Sequence, residues 1–449
     1  MPSVALLTDL YELTMAYGYW RSGKSDDEAV FHLFFRENPF DGGYTVAAGL
    51  ETAIGYLDAL RFADDDLDYL RSLQLFDDDF LAVLRDFRFT CDVDAIPEGT
   101  VVFPNEPLVR VRGPIVQAQL VESALLNVVN FQSLIATKAS RVTEAARGDV
   151  VLDFGLRRAQ GMDGALSASR AAYIGGCHAT SNVLAGARYG IPVRGTHAHS
   201  WVMSFPTERE AFETWSRVMP KNSVLLVDTY DTLDGVRHAI ETGKTLQGIR
   251  LDSGDLLALS IAARRMLDEA GLEKVTIAAS NELDEHIIAD LKQKGARIDV
   301  WGVGTRLITA YDQPALGGVY KLTAIKPRGG AWEHKIKLSE QALKISNPGI
   351  LQVRRFDAYD LIWDELQWSG GLQPAGSGDD LLVPIYRAGK RVYDPPPLAE
   401  VRRRREEQLA RFDAGIKRFD HPDLYPVELE PRLADLKARL VASARGVAA

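Results

Sequence analysis

Cysteine is scarce: 449 residues contain two, Cys91 and Cys177, and they form no CxxC pair. That removes a disulfide framework and a cysteine-ligated zinc site, and makes a reducing cytoplasm the default setting. A basic excess is missing too. Lys and Arg total 52 against 62 Asp and Glu, a formal net charge of −10. Such a balance argues against a chain that wraps nucleic acid, while leaving room for a local basic pocket. No long apolar run is present. The least charged stretch, residues 113–137, holds Gln117, Gln119, Asn127, Asn130 and Gln132. Those amides would lack partners in a bilayer, so a buried helix of a soluble protein is expected instead. The first twelve residues have no basic segment and carry Asp9 and Glu12, so no secretory signal is expected. No self-similar period is visible.

What is present reads as a large α/β protein. Hydrophobic residues are 46% and charged residues 25%, and the length suggests two or three domains. Residues 28–35 and 44–48 have strand character. Asp64 to Asp66 and Asp77 to Asp79 each open an apolar-periodic segment, as helix starts do. Pro97, Pro104, Pro107 and Gly113–Pro114 break 90–113 into short strands, and a long helix is expected over about 115–147. From 150 the pattern changes. Short β-rich runs at 150–154, 192–195, 223–227, 248–251, 274–278 and 298–301 alternate with helical stretches at 164–189, 208–218, 231–242, 255–270 and 284–294. Strand, helix, strand at this spacing means a parallel sheet; open sheet and barrel are equally compatible with it. Strands return from about 318. Residues 370–380 read as a loop. Arg402 to Arg405 open a charged helix, expected to be a solvated face balanced by Glu406 and Glu407.

Polar clusters follow directly on these strands. They are Gly155-Leu156-Arg157-Arg158, Thr196-His197-Ala198-His199-Ser200, Asp228-Thr229-Tyr230-Asp231, Asp252-Ser253-Gly254-Asp255 after Arg250, Ser280-Asn281-Glu282, and Gly302-Val303-Gly304-Thr305. Strand C-termini of a parallel sheet converge on one face, where ligands bind, so six clusters predict one site. A single post-strand Asp is often only a helix cap; six clusters in register are hard to explain as caps. Arg157, Arg158 and Arg250 suit forked binding of carboxylate or phosphate. Asp228, Asp252 and Asp255 suit Mg²⁺ or a developing cation. Gly302 to Thr305 offer backbone N–H groups and a hydroxyl to a phosphate. Together they suggest phosphate-bearing sugar chemistry. His197 and His199 have the HxH spacing of metal-dependent barrel hydrolases, but no other histidine falls at a later strand end, so a binuclear metal site is not expected. A neutral imidazole there could act as a nucleophile. Spacing alone does not choose between the two histidines.

Several of these segments resemble signatures of the nicotinate phosphoribosyltransferase family. They are Thr8-Asp9-Leu10-Tyr11-Glu12-Leu13-Thr14-Met15, residues 154–161, 195–200, 250–255 and 302–305, and Leu316 to Leu322. The resemblance runs in order from about residue 8 to 325. It implies an irregular α/β barrel beside a mixed α+β domain formed by the N- and C-terminal parts. In residue terms that is 1–148 as an N-terminal mixed domain with the long helix leading to the barrel, 149–325 as the barrel carrying the catalytic face, and 326–449 as strands and helices packing on the N-terminal domain. It implies condensation of nicotinate with 5-phosphoribosyl 1-diphosphate (PRPP) to nicotinate mononucleotide and diphosphate, coupled to ATP hydrolysis through a phosphohistidine, in NAD biosynthesis. It further implies Mg²⁺, a cytoplasmic homodimer with shared sites, and neither nucleic-acid nor membrane partners. By the same resemblance His199 is the phosphorylated histidine, with His197 at a variable position. Tyr11, reaching from a neighbouring subunit, and Phe154 stack on the nicotinate ring. Arg157, Thr196 and Arg250 surround its carboxylate and PRPP. Gly302, Gly304 and Thr305, with Arg250 and Asp252, hold PRPP and its phosphate, while Asp228 and Asp252 lie near the ribose and Mg²⁺. The zinc-binding cysteine cluster of some relatives is absent, since no cysteine follows Cys177.

Overall fold

Runs of Val, Ile and Leu bounded by Gly, Asp and Asn form strands because branched side chains pack well on a pleated, half-buried surface. The computed structural model describes residues 4–340, 345–368, 374 and 376–446, and these divide into two units. The first comprises 1–133, 315–397 and 408–449; the second comprises 134–314 and 398–407. The division falls inside the helix Glu122–Ala146.

The first unit is built on antiparallel sheets. Its largest has seven strands, with Glu28–Phe34 lying between Val319–Lys326 and Val109–Pro114. Glu28–Phe34 is buried along nearly its whole length. A four-stranded sheet is built around Leu351–Arg355 and Asp360–Asp364. The Asp runs cap helices as expected: Asp77 Oδ1 accepts from Phe80 N at 2.9 Å, and Asp66 reaches back to Ala63 N at 2.8 Å. Of the loop expected at 370–380, residues 370–373 and 375 lie outside the described residues, and Asp379–Asp380 pairs as a short strand with Arg354 and Arg355. The expected long helix is two: Ile115–Leu120 and Glu122–Ala146.

The second unit carries a six-stranded sheet. Its strands are β1 (Val150–Asp153), β2 (Ala179–Thr180), β3 (Val224–Leu226), β4 (Gly248–Leu251), β5 (Thr276–Asn281) and β6 (Val300–Val303), in the order β2-β1-β6-β5-β4-β3. Every neighbouring pair is parallel. Two expectations fail here. The helix expected at 164–189 is broken into Met162–Ile174, strand β2 and Val183–Tyr189. The break comes at Gly175-Gly176: a Cβ on Gly175 would lie 2.3 Å from Ala136 O, and Gly176 has φ +113°, conformations and approaches that glycine alone tolerates. The run at 192–195 is not a ladder strand; it makes one isolated parallel bridge, Thr180 to Val193.

Buried ion pairs hold the helices of this unit together. Glu285 lies between Arg141 and Lys138, each 2.7 Å away, and all three side chains are almost wholly buried. Burial alone would raise the Glu285 pKa, but Lys138 and Arg141 more than offset it and the net shift is downward. The expected solvated basic face is also corrected. Arg402 and Arg403 do pair with Glu406 and Glu407, but Arg405 is 4% exposed and faces Glu144 at 3.7 Å, while Arg402 Nη2 donates to Gly176 O at 3.0 Å. Glu285→Ala would remove the carboxylate that buried Arg141 and Lys138 share, while Lys138 keeps Asp312 at 2.8 Å; breaking a buried pair in this way costs about 3–5 kcal/mol. Chemical denaturation should show a matching fall in stability; an unchanged midpoint would mean that solvent reaches the network.

Candidate active site

Alternate residues of a strand face the same side, and in this sheet that side encloses a cavity. Val150, Leu152 and Phe154 of the β1 segment, Thr276 and Ala278 of β5, and Val300 and Gly302 of β6 line a cavity of about 410 Å³. Ala179, Gly195, Ala278 and Gly302 among its lining residues carry little or no side chain, which leaves the space open. Phe154, Gly195, Thr196, Arg250 and Gly302 also line a second cleft of about 480 Å³ at the C-terminal ends of the strands. That cleft holds Arg157, Arg158, His199, Asp252, Ser280, Gly304 and Thr305. Strand topology thus brings most of the expected site residues together.

Their individual placements differ. Gly302 makes room for Phe154, since a Cβ there would lie 2.6 Å from Cδ2 of the ring. Arg157 and Arg158 form an exposed turn after β1. Arg250 is mostly buried: burial works against its charge, which Asp252 and Asp228 partly restore. Its Nη2 donates to His197 O at 2.9 Å, while Nε has no hydrogen-bond partner among the described residues. Asp228 lies under the cleft. Its Oδ2 accepts from Asp252 N at 2.8 Å and Ser253 Oγ at 2.6 Å, and its buried Oδ1 has no partner among the described residues. Asp252 Oδ1 accepts from Ser280 Oγ at 2.6 Å. Asp255 and Asp231 cap the helices that follow them, accepting from Ala258 N and Asp234 N. His199 begins the helix His199–Met203, with Nδ1 3.1 Å from Thr229 Oγ1 and Nε2 3.7 Å from Asp252 Oδ2. Tyr11 belongs to the first unit. It sits on the helix Leu10–Arg21, 44% exposed, and burial together with Glu122 and Glu12 pushes its pKa up to about 12.

The two histidines separate sharply. His197 is 6% exposed, its ring 4.9 Å from Trp215 and 6.3 Å from Phe212. Its Nε2 accepts from Leu226 N at 3.3 Å, which leaves the ring proton on Nδ1, facing Ala198 O at 3.4 Å. His199 is half-exposed to the cleft. The choice that spacing left open is thus one between a packed ring and an accessible one.

Other contributors were not singled out from the sequence. Asp153, fully buried, accepts from Gly155 N at 2.9 Å, Ser169 Oγ at 2.8 Å and Thr180 Oγ1 at 2.7 Å. It ties the turn carrying Phe154 and Arg157 to β2, and Thr180 Oγ1 in turn accepts from Asn182 N at 3.0 Å. Ser181 of that segment lines the cleft. The Gly175-Gly176 pair was the available signal for it. Asn222 Nδ2 donates to Gly195 O at 2.8 Å, across the place where the parallel ladder stops.

The His197 ring also sets a pH dependence. Burial, with Arg250 and His199 adding to it, lowers its pKa from 6.5 to about 4 against an opposing bond to Ala198. Between those values the unfolded chain binds the extra proton and the folded chain does not, so stability rises with pH. The contribution is complete above the unfolded value of 6.5 and is lost as pH falls toward 4; its upper size is on the order of 3 kcal/mol. His197→Gln keeps an acceptor for Leu226 N–H and does not titrate. Its stability should fall less than that of the wild type between these pH values in matched denaturation curves; parallel curves would refute the buried neutral ring.

Comparison with known proteins identifies the family. The family models for the nicotinate phosphoribosyltransferase (NAPRTase) N-terminal domain, the NAPRTase family and the C-terminal domain match residues 6–130, 150–337 and 375–437. Nicotinate phosphoribosyltransferase of Bacillus subtilis (strain 168) is 44% identical over 98% of this chain and 97% of its own. A Mycobacterium tuberculosis nicotinate phosphoribosyltransferase is 46% identical over 97% and 94%. The crystal structure of human nicotinic acid phosphoribosyltransferase is similar with a TM-score of 0.83 at 33% identity, covering 97% of this chain and all of that one. At 24% identity, nicotinate-nucleotide pyrophosphorylase from Pyrococcus furiosus shares the fold, with a TM-score of 0.74 over 91% and 96% of the two chains. Matched along nearly its whole length, this chain, with its polar clusters gathered at the strand ends of a parallel sheet, belongs to the nicotinate phosphoribosyltransferase family.

Proposed function

We propose that this chain joins nicotinate to PRPP, forming nicotinate mononucleotide and diphosphate, and couples the reaction to ATP through a phosphohistidine at His199. It would then be a ligase-type, ATP-dependent enzyme of NAD biosynthesis, on the salvage route from nicotinate (the Preiss–Handler route). The observation that carries the reading is the composition of one cleft. A mostly buried guanidinium whose Nε has no partner among the described residues, two anchored carboxylates, a glycine-threonine turn and an accessible imidazole occupy the same strand ends.

Each group has a task that follows from its chemistry. Arg250 suits the nicotinate carboxylate, since charge-assisted bonds are about twice as strong as neutral ones. Phe154 offers a flat face to the ring, and Thr196 and Arg157 complete the rim. Gly302, Gly304 and Thr305 suit the 5-phosphate. In the transfer, the bond from the anomeric carbon to the diphosphate oxygen breaks and diphosphate leaves with the electron pair. The pyridine nitrogen lone pair then forms the new carbon–nitrogen bond. Asp228 and Asp252 face the positive charge that develops at the anomeric carbon. The unpartnered Asp228 Oδ1 and the half-exposed Asp252 are oxygen donors with spare lone pairs, which suit Mg²⁺, a cation that takes few protein ligands and keeps its waters. When bound, Mg²⁺ would neutralise the leaving diphosphate. In the coupling step a His199 ring nitrogen forms a bond to the γ-phosphorus of ATP, the bridging P–O bond breaks and ADP leaves. Water later takes the phosphoryl group as phosphate. The added charge of roughly −2 would remodel the cleft around it.

A homodimer belongs to the proposal. Leu7, Leu10, Tyr11 and Met15 are exposed on and just before one helix, an apolar stripe with a phenol that a second copy would cover. Among the described residues no helix is long and apolar enough to cross a membrane, and a cytoplasmic enzyme of small-molecule substrates is proposed.

Three measurements test this. Nicotinate should exceed nicotinamide by orders of magnitude in kcat/KM, and comparable values would remove the role given to Arg250. His199→Asn should abolish ATP hydrolysis and the acid-labile phosphoprotein while leaving a slow ATP-independent transfer; full ATP coupling in that variant, or phosphate mapped to His197, would exclude the assignment. Mixing inactive Tyr11→Ala and His199→Ala chains should restore some activity where subunits exchange. Tagged heterodimers that form but stay inactive would rule out shared sites.

A further inference from the structure

We propose that Thr229 is the positioning residue that fixes the His199 ring for phosphorylation. The inference rests on the reading of His199 as the phosphoryl acceptor. His199 is half-exposed, so packing alone does not hold its ring. Among the described residues the Thr229 hydroxyl is its only hydrogen-bond partner, 3.1 Å from Nδ1. On the other edge of the ring, Asp252 Oδ2 lies 3.7 Å from Nε2.

Both flanking groups are themselves anchored. Ser280 Oγ, at the end of β5, donates to Asp252 Oδ1 at 2.6 Å. Asp252 N, at the end of β4, donates to Asp228 Oδ2 at 2.8 Å. Asp228 immediately precedes Thr229, just beyond β3. The chain of bonds therefore runs across three strand ends and finishes on the imidazole. Nδ1–H donates to the Thr229 hydroxyl oxygen, which leaves the lone pair of Nε2, on the edge toward Asp252 and the cleft, free for the phosphorus. A flip of the ring about its last side-chain torsion, which is broad when unconstrained, would lose this bond and turn the wrong nitrogen toward Asp252. Thr229 thus selects one orientation and one tautomer of the acceptor. Misplacing a reacting group by about 1 Å can cost on the order of a hundredfold.

The test uses the full-length protein with ATP and Mg²⁺, comparing wild type, Thr229→Val and Thr229→Ser. Valine keeps the branched shape and removes the hydroxyl; serine restores the hydroxyl without the methyl. Thr229→Val should form the acid-labile phosphoprotein roughly 10- to 100-fold more slowly than wild type, and Thr229→Ser should recover most of the rate. ¹⁵N shifts of His199 should show one tautomer in wild type and Thr229→Ser, and a mixture in Thr229→Val. Wild-type phosphorylation in Thr229→Val, or a serine variant as slow as the valine variant, would overturn the inference; the second result would assign the defect to packing. Absence of phosphoprotein in wild type would overturn the prior reading of His199, and with it this one.

Discussion

The parallel ladder of the second unit runs β2-β1-β6-β5-β4-β3 and stops, and the rest of the site depends on what crosses that stop. Side chains, not backbone pairs, join the 195–199 segment to β3 and β4: Asn222 to Gly195, the His197 imidazole to Leu226 N–H, and Arg250 to His197 O. Leu226 is wholly buried, and a buried N–H left without an acceptor costs about 1–3 kcal/mol. A neutral His197 supplies that acceptor. The burial that depresses its pKa is therefore part of how the segment carrying Thr196 and His199 is held. A positively charged ring would have no lone pair for Leu226.

A second chain of bonds runs from strand end to strand end. Ser280 holds Asp252, and the Asp252 backbone holds Asp228. Anchoring of this kind orders both carboxylates in advance, as preorganised electrostatic sites require. It also leaves specific atoms idle: among the described residues Asp228 Oδ1 and Arg250 Nε are buried without partners. Native proteins satisfy most buried polar atoms, and these two are the ones to which the reading proposed above gives a ligand. Asp153 plays the matching part on the far side of the sheet, pinning the Phe154–Arg157 turn through Gly155, Ser169 and Thr180.

Much of this was legible beforehand. Val- and Ile-rich runs alternating with amphipathic stretches gave the parallel sheet, and the position of polar clusters after each run gave the face on which His199, Asp252, Arg250 and Thr305 meet. The failures were local. A helical pattern over 164–189 concealed β2, because apolar periodicity outweighed Gly175-Gly176. The Arg402 to Arg405 run looked wholly solvated, yet Arg405 is buried against Glu144. Post-strand aspartates also look alike in one dimension. Asp231 and Asp255 cap helices, whereas Asp228 and Asp252 face the cleft or lie beneath it.

By itself the sequence determined the class of fold, the strand ends that carry chemistry and the family to which they belong, because periodicity and motif order are one-dimensional properties. Only the tertiary structure decided which of two neighbouring histidines is packed and neutral and which is open to the cleft. It alone paired Thr229 with His199, 30 residues apart in the chain, and left the cavity unfilled beneath Arg250. The physical reason is common to all three. Burial, hydrogen-bond partners and empty volume are set by groups brought together from distant parts of the chain, and spacing along the chain carries no record of them.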